Sequence, residues 1–262
     1  MIRSLYTSVS GLITQEAKQN VITNNLANVN TVGFKGDNLS VKKFNDVLIH
    51  NYDKIVNGKN VRNVIGSLSQ GSEIDGVKIS FTQGTIESTE KWSDFAIEGR
   101  GFFSLSNGED NGIYYSRDGQ FHVNDEGYLV NNAGYNVLGT AVGFNGQPVG
   151  NPVPIQVNNE EFNLNSDGTF SIGGQRYSFN TVDFENYDEL RKVGDNLYTG
   201  QNPERNNNVS VKQNSLEKSN VNIMNEMVNM ITVMRTFESN QKMIQSIDET
   251  LSKTVNEVGT IR

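Results

Sequence analysis

The sequence predicts an α+β protein: long N- and C-terminal helices forming a coiled-coil-like pair, with a central antiparallel β-rich domain. Three observations predict it. A stripe of apolar residues at helical spacing runs through the stretch from Asn214 to Arg262, and a shorter one opens the chain. Between them, short runs rich in Val, Ile, Phe and Tyr are punctuated by Gly, Asn-Gly and Asp-Gly, the grammar of antiparallel hairpins.

Composition narrows the function classes. A chain of 262 residues can hold one large core or two modest ones. Its 35% hydrophobic share and mean hydropathy of −0.50 are polar for a globular protein, but 9% aromatic residues argue against disorder. The net charge of −8 excludes a nucleic-acid partner, which would need clustered Lys and Arg. No run of 18 apolar residues occurs, so no membrane insertion is expected. Ser4, Thr7, Ser8 and Ser10 interrupt the opening residues, so a cleaved signal peptide is not expected either. Cysteine is absent, which excludes disulfides, thiol nucleophiles and thiolate metal sites.

The first element is a helix on which Ile2, Leu5, Val9 and Leu12, then Ile22, Leu26 and Val29, share a face. Asn24, Asn25, Asn28 and Asn30 work against its continuation, because Asn side chains compete for backbone hydrogen bonds. Gly33 is a natural terminator. Residues 37–90 read as a linker or extension with short strands. Phe44, Val47 and Leu48 fit one helical turn, Asn57-Gly58-Lys59-Asn60 a reverse turn, and Val77, Ile79 and Phe81 a half-buried strand.

Residues 91–208 form the β-rich domain, with turns at Asn124-Asp125-Glu126-Gly127, Asn132-Ala133-Gly134, Asp167-Gly168 and Gly173-Gly174, and a loop from Gln201 to Asn208. Residues 1–36 and 209–262 make the terminal helical domain. On the second helix, Ile223, Met227, Met230, Met234, Phe237, Gln241 and Ile244 step by four and three. The phase then slips by one, and Ile247, Leu251, Val255 and Val258 continue. Met224, Val228 and Ile231 widen the apolar face beyond what one partner helix can cover, so self-association is expected.

No chemistry is expected of the chain. Gly99-Arg100-Gly101 lacks the third glycine of a dinucleotide fingerprint and reads as a tight turn between strands. His50 and His122 stand apart, without ligand spacing to a second His or carboxylate. Asp118 and Asp125 are better explained as turn residues than as an acid–base pair, and no nucleophile elbow is present. The chain therefore reads as a non-enzyme, with no catalytic residue, metal or cofactor.

Three separated motifs carry a resemblance to a known family. The first is Asn24-Asn25-Leu26-Ala27-Asn28-Val29-Asn30-Thr31 followed by Gly33-Phe34-Lys35. The second is Asp94-Phe95-Ala96-Ile97, Gly99, Gly101-Phe102-Phe103 and Arg117-Asp118-Gly119 with Phe121. The third is Leu216-Glu217 with Ser219-Asn220-Val221, then Met230-Ile231, Arg235, Phe237-Glu238, Asn240 and Lys242. In this order and span the chain resembles the bacterial flagellar rod and hook proteins, most closely their distal-rod members.

The resemblance implies a self-assembling tube subunit of the basal-body rod. Its terminal helices would line the tube, transmit torque and enclose the export channel, with the β domain outside. Self, neighbouring rod and hook proteins and the flagellar export apparatus are the implied partners. The residues expected to pack are Leu5, Val9, Leu12, Ile22 and Leu26 against Met227, Met230, Met234, Phe237, Ile244 and Leu251. A proximal-rod or hook-type paralogue is one alternative. Another is a β-rich carbohydrate-binding module oligomerised by its helices, with Tyr114, Tyr115, Phe121 and Tyr135 as a sugar platform.

Overall fold

A computed structural model describes residues 2–56, 59–108, 112–143, 148–157, 161–165, 167–206 and 209–259. It has one helix near each end and an antiparallel β-rich region between them. The chain divides into two compact units, each discontinuous in sequence: one from 1–26, 37–78 and 222–262, the other from 27–36 and 79–221.

In the first unit, α1 (Ile2–Ala27) contains no proline. Its Thr7, Thr14 and Thr23 hydroxyls donate back to the carbonyls of Arg3, Gly11 and Gln19, so these β-branched polar residues are satisfied within the helix. The helix stops inside the Asn run, as the competition of Asn side chains for the backbone predicts. β1 (Asp37–Lys43) pairs with β4 (Ser72–Ile79), while β2 (Val47–Val56) and β3 (Lys59–Leu68) form a long hairpin that pairs only with itself among the described residues. The helical turn expected around Phe44, Val47 and Leu48 is therefore absent, and Val47 opens a strand instead. The β-branched Val47, Ile49 and Ile55 on one strand and Val61, Val64 and Ile65 on the other favour extended structure. Of the expected turn, Asn57 and Gly58 lie outside the described residues, and Lys59 and Asn60 begin β3.

The last element, α2 (Ile223–Gly259), begins at Ile223, where the apolar stripe begins, and the residues from Asn214 up to it are not helical. Ser210–Gln213 and Ser215–Glu217 are strands, separated by Asn214 in the left-handed region at φ 54°. The helix begins only where the Asn222 carboxamide accepts the Asn225 N–H, an N-cap, with Glu226 in the first turn to complement the helix dipole. The ends of the expected helix (Gly259 onwards) and of the expected loop (Asn207, Asn208) fall in or beside residues outside the description.

The second unit holds the hydrophobic core, and its main sheet is antiparallel and twelve-stranded. Here β5 is Ile86–Ser88, β6 is Phe95–Glu98 and β7 is Phe102–Ser106. β7, buried from Phe102 to Leu105, pairs with Ile113–Ser116, Asn136–Val142 and Thr181–Asp183. One cluster packs Phe95 against Phe179 (4.7 Å between ring centroids) and Phe162 against Phe170 (4.5 Å); a second gathers Phe102, Tyr115, Phe184 and Tyr198. The expected turns are present, with Gly127, Gly134, Gly168, Gly173 and Gly174 all at positive φ. The strand Pro148–Pro154 pairs only with Asn136–Val142 among the described residues and carries three of the chain's four prolines. The strands Ser210–Gln213 and Ser215–Glu217 add to β6 and β5, so the last strands of this unit are sewn to its first.

Candidate functional site

Parts of all three sequence motifs, far apart in the chain, meet in the second unit around the strap 31–36. Lys35 is its centre. The Lys35 ammonium lies 2.7 Å from Glu217 Oε1, and neither side chain has any exposure. Arg117 Nη1 approaches Glu217 Oε2 at 3.2 Å. Lys35 also donates to the Thr82 carbonyl, Arg117 Nη2 to the Gly99 carbonyl at 2.7 Å, and the Gly84 N–H to Glu217 Oε1 at 2.8 Å. One carboxylate thus faces two cations out of water. Burial lowers the Lys35 pKa, the Glu217 charge and hydrogen bond raise it, and Arg117 lowers it again.

Backbone contacts lock the strap around that group. Gly33 adopts φ 66° and donates to the Glu217 carbonyl at 2.8 Å; a Cβ there would lie 2.5 Å from the Asp118 nitrogen. Phe34 is buried, with the Lys192 ammonium 4.1 Å from its ring centroid. Asn220 holds the far end: its Oδ1 accepts the Gly36 N–H at 2.9 Å, and its Nδ2 donates to the carbonyls of Ser80 (2.7 Å) and Thr82. Asn28 accepts the Thr31 hydroxyl, and Ser219 accepts the Val221 N–H. Gly99 and Gly101 make the expected turn at φ 104° and 144°, with Gly101 against the Val182 carbonyl, and deliver Phe102 to the second aromatic cluster.

Asp118 carries the most perturbed carboxyl described. Burial pushes its pKa up to about 6, the Gln120 N–H opposes this, and the Asp94 charge adds to it. Its acidic neighbour is therefore Asp94, not Asp125. Among the described residues no group of three or more His, Asp or Glu could hold a metal.

Asn25 belongs to the first unit. Only 3% exposed, it accepts the Asp37 N–H at 2.9 Å and donates to the Asp37 carbonyl at 2.8 Å. In the first turn of α2, burial raises the Glu226 pKa, while the Asn25 side chain and the Lys18 charge lower it. Asn24 and Asn30 are exposed.

On α1, Ile22 is buried, Leu5, Leu12 and Leu26 are half-buried, and Val9 is exposed. On α2, Met230, Phe237, Ile244 and Leu251 are half-buried, whereas Met227 (48% exposed) and Met234 (47%) face outward. The covered stripe runs Glu226, Met230, Val233, Phe237, Asn240, Ile244, Ile247, Leu251, in steps of four and three without a slip. Counting only apolar residues missed it, because Glu226 and Asn240 occupy two of its places. Asn240 touches α1: a Cβ on Gly11 would lie 3.0 Å from its Nδ2. Beside this narrow stripe, Ile223, Met224, Met227, Val228, Ile231 and Met234 form an open apolar face. The proposed sugar platform does not form, since Tyr115 and Phe121 are core residues.

Comparison with known proteins matches the chain in three blocks. Residues 5–35 match the flagella basal body rod protein family, 96–172 the D1 domain of flagellar hook protein FlgE/F/G, and 212–257 the C-terminal domain of flagellar basal body rod FlgEFG proteins. Over 98% of its length the chain is 34% identical to the flagellar basal-body rod protein FlgG of Bacillus subtilis, covering 99% of that protein. It is 31% identical to the hook-basal body complex protein FlhO of the same organism, with both chains fully covered. It is 32% identical to the rod protein FlgF of Caulobacter vibrioides, again over both full lengths.

Proposed function

Since the chain belongs to the flagellar basal-body rod protein family and is a structural subunit of the basal body, we propose that it is a distal-rod subunit assembling through its two terminal helices. In this reading residues 1–36 and 209–262 pair as a coiled coil that lines a helical tube, and 91–208 form its outer wall. Copies of the chain and adjoining rod and hook proteins cover the helices. The tube transmits torque and encloses the path of export. The subunit itself leaves through the export apparatus, and it catalyses nothing.

The observation that carries this reading is the open face of α2. The narrow stripe suits one partner helix, while Met224, Val228 and Ile231, at 73%, 61% and 52% exposure, remain available to others. A tube subunit surrounded by copies of itself has such partners on every side.

The test is Ile231→Asp. Because the side chain is exposed, the monomer should keep its thermal midpoint, yet cells carrying the variant should build no rod and lose motility. Normal swimming would sink the proposal.

A further inference from the structure

Apart from Met1, every sulfur atom of the chain lies on α2. There is no cysteine, and the remaining methionines are Met224, Met227, Met230, Met234 and Met243. A thioether is soft and adaptable, which suits a contact surface, but it is open to oxidation wherever solvent reaches it.

The five are not equivalent. Met224 (73% exposed), Met227 (48%) and Met234 (47%) stand with Ile231 at steps of three, four and three, so they share one side of the helix. Met230 lies on the covered stripe and is half-buried. Met243 is open at 57%, but it follows Met234 by nine residues, about two and a half turns, and lies on the other side. One helix thus carries three open thioethers on its apolar face, one sheltered thioether, and one open thioether away from that face.

Resting on the reading of that face as the surface where copies join, we propose that Met224, Met227 and Met234 form a modification site for peroxides, whose oxidation keeps a free subunit out of the rod. The chemistry needs only the oxidant. A sulfur lone pair attacks one oxygen of hydrogen peroxide, the O–O bond breaks, and the second oxygen leaves as water. Sulfur is oxidised by two electrons to the sulfoxide, and the peroxide is reduced. The new S–O group is a strong hydrogen-bond acceptor on a surface built to meet apolar side chains, so burying it there leaves it unmet. Once copies cover the face, peroxide no longer reaches the sulfurs. The built rod is spared, and only unjoined subunits are turned away.

The test treats the full-length protein with hydrogen peroxide, follows each methionine by peptide mass spectrometry and measures self-association by sedimentation. Met224, Met227, Met234 and Met243 should each gain one oxygen, with Met230 several-fold slower. Self-association should weaken by about tenfold or more. Met224→Leu, Met227→Leu and Met234→Leu combined keep the apolar volume and should remove the sensitivity, whereas Met243→Leu should leave it, each variant being compared with its own untreated sample. After limited oxidation, the unassociated fraction of the unaltered protein should be enriched in sulfoxide at the three face positions and not at Met243, a comparison that needs no variant.

Sulfoxide spread evenly between the fractions, oxidised protein that associates as tightly as untreated protein, or a triple variant that stays sensitive overturns the proposal. Met230 reacting as fast as Met243 overturns it too, because the sheltering would then be absent. If untreated protein does not self-associate, the reading of the face as an assembly surface fails first, and the proposal falls with it.

Discussion

Lys35 and Glu217 sit 2.7 Å apart with no solvent on either side chain, although 182 residues separate them in the chain. A buried ion pair contributes little net stability against an apolar equivalent, but losing one member leaves an uncompensated charge. Here a single carboxylate serves two cations, so its loss strands both. Glu217→Gln should cost about 3–5 kcal/mol of unfolding free energy, read from denaturant melts. Lys35→Met should cost less, because Arg117 still pairs with Glu217. A Glu217→Gln loss no larger than that of Lys35→Met would contradict this account of the hub.

Gly33 is confined by its surroundings as well as by its φ of 66°. The atoms a Cβ would strike are the Arg117 carbonyl and the Asp118 nitrogen, main-chain atoms that cannot rotate away. Gly33→Ala should therefore destabilise by more than about 2 kcal/mol, where the left-handed backbone alone would cost about 1. Gly134 has a similar φ with open space around it, so Gly134→Ala is the control and should show only the smaller loss.

Asp118 gives the pH dependence its sign. Its folded-state pKa, about 6, lies above the unfolded value near 3.9, so between these values the folded state binds the extra proton. Stability from this group is present at low pH and is lost as pH rises through 6. Asp118→Asn keeps an oxygen for the Gln120 N–H and removes the buried charge. It should gain about 1–3 kcal/mol at pH 7.5 and little at pH 4, measured by urea midpoints at both. An equal gain at the two pH values would refute the assignment.

Asn220 meets three backbone groups with one side chain. Asn220→Ala strips the strap of partners at Gly36, Ser80 and Thr82 and should cost about 2–3 kcal/mol. Amide exchange should quicken at Gly36, whose N–H loses its acceptor. Unchanged protection there would show that water replaces the side chain without loss.

Several features of the fold were legible from local rules. The two helices announce themselves by apolar spacing, and the turns at Gly127, Gly134 and Gly173-Gly174 by the need for positive φ. The β2–β3 hairpin was missed because its mixed pattern reveals strands only once Val47 and Leu68 face each other. The stripe on α2 was displaced because Asn240 and Glu226 hold seam positions that a search for apolar residues skips. The hub was visible only as motifs. Lys35, Arg117 and Glu217 could each be singled out, but no spacing rule joins side chains brought together by strand pairing at opposite ends of a domain.

The strand Pro148–Pro154 has a bearing on life in a crowd. A free sheet edge is a template that another chain can extend, and a rod subunit meets other copies of itself. Prolines 148, 152 and 154 remove N–H donors along that edge. A neighbour arriving in β fashion finds too few donors to begin a ladder. Copies are thereby steered away from sheet-to-sheet fibres and left to join by other surfaces, and this strand's contribution to orderly growth is refusal.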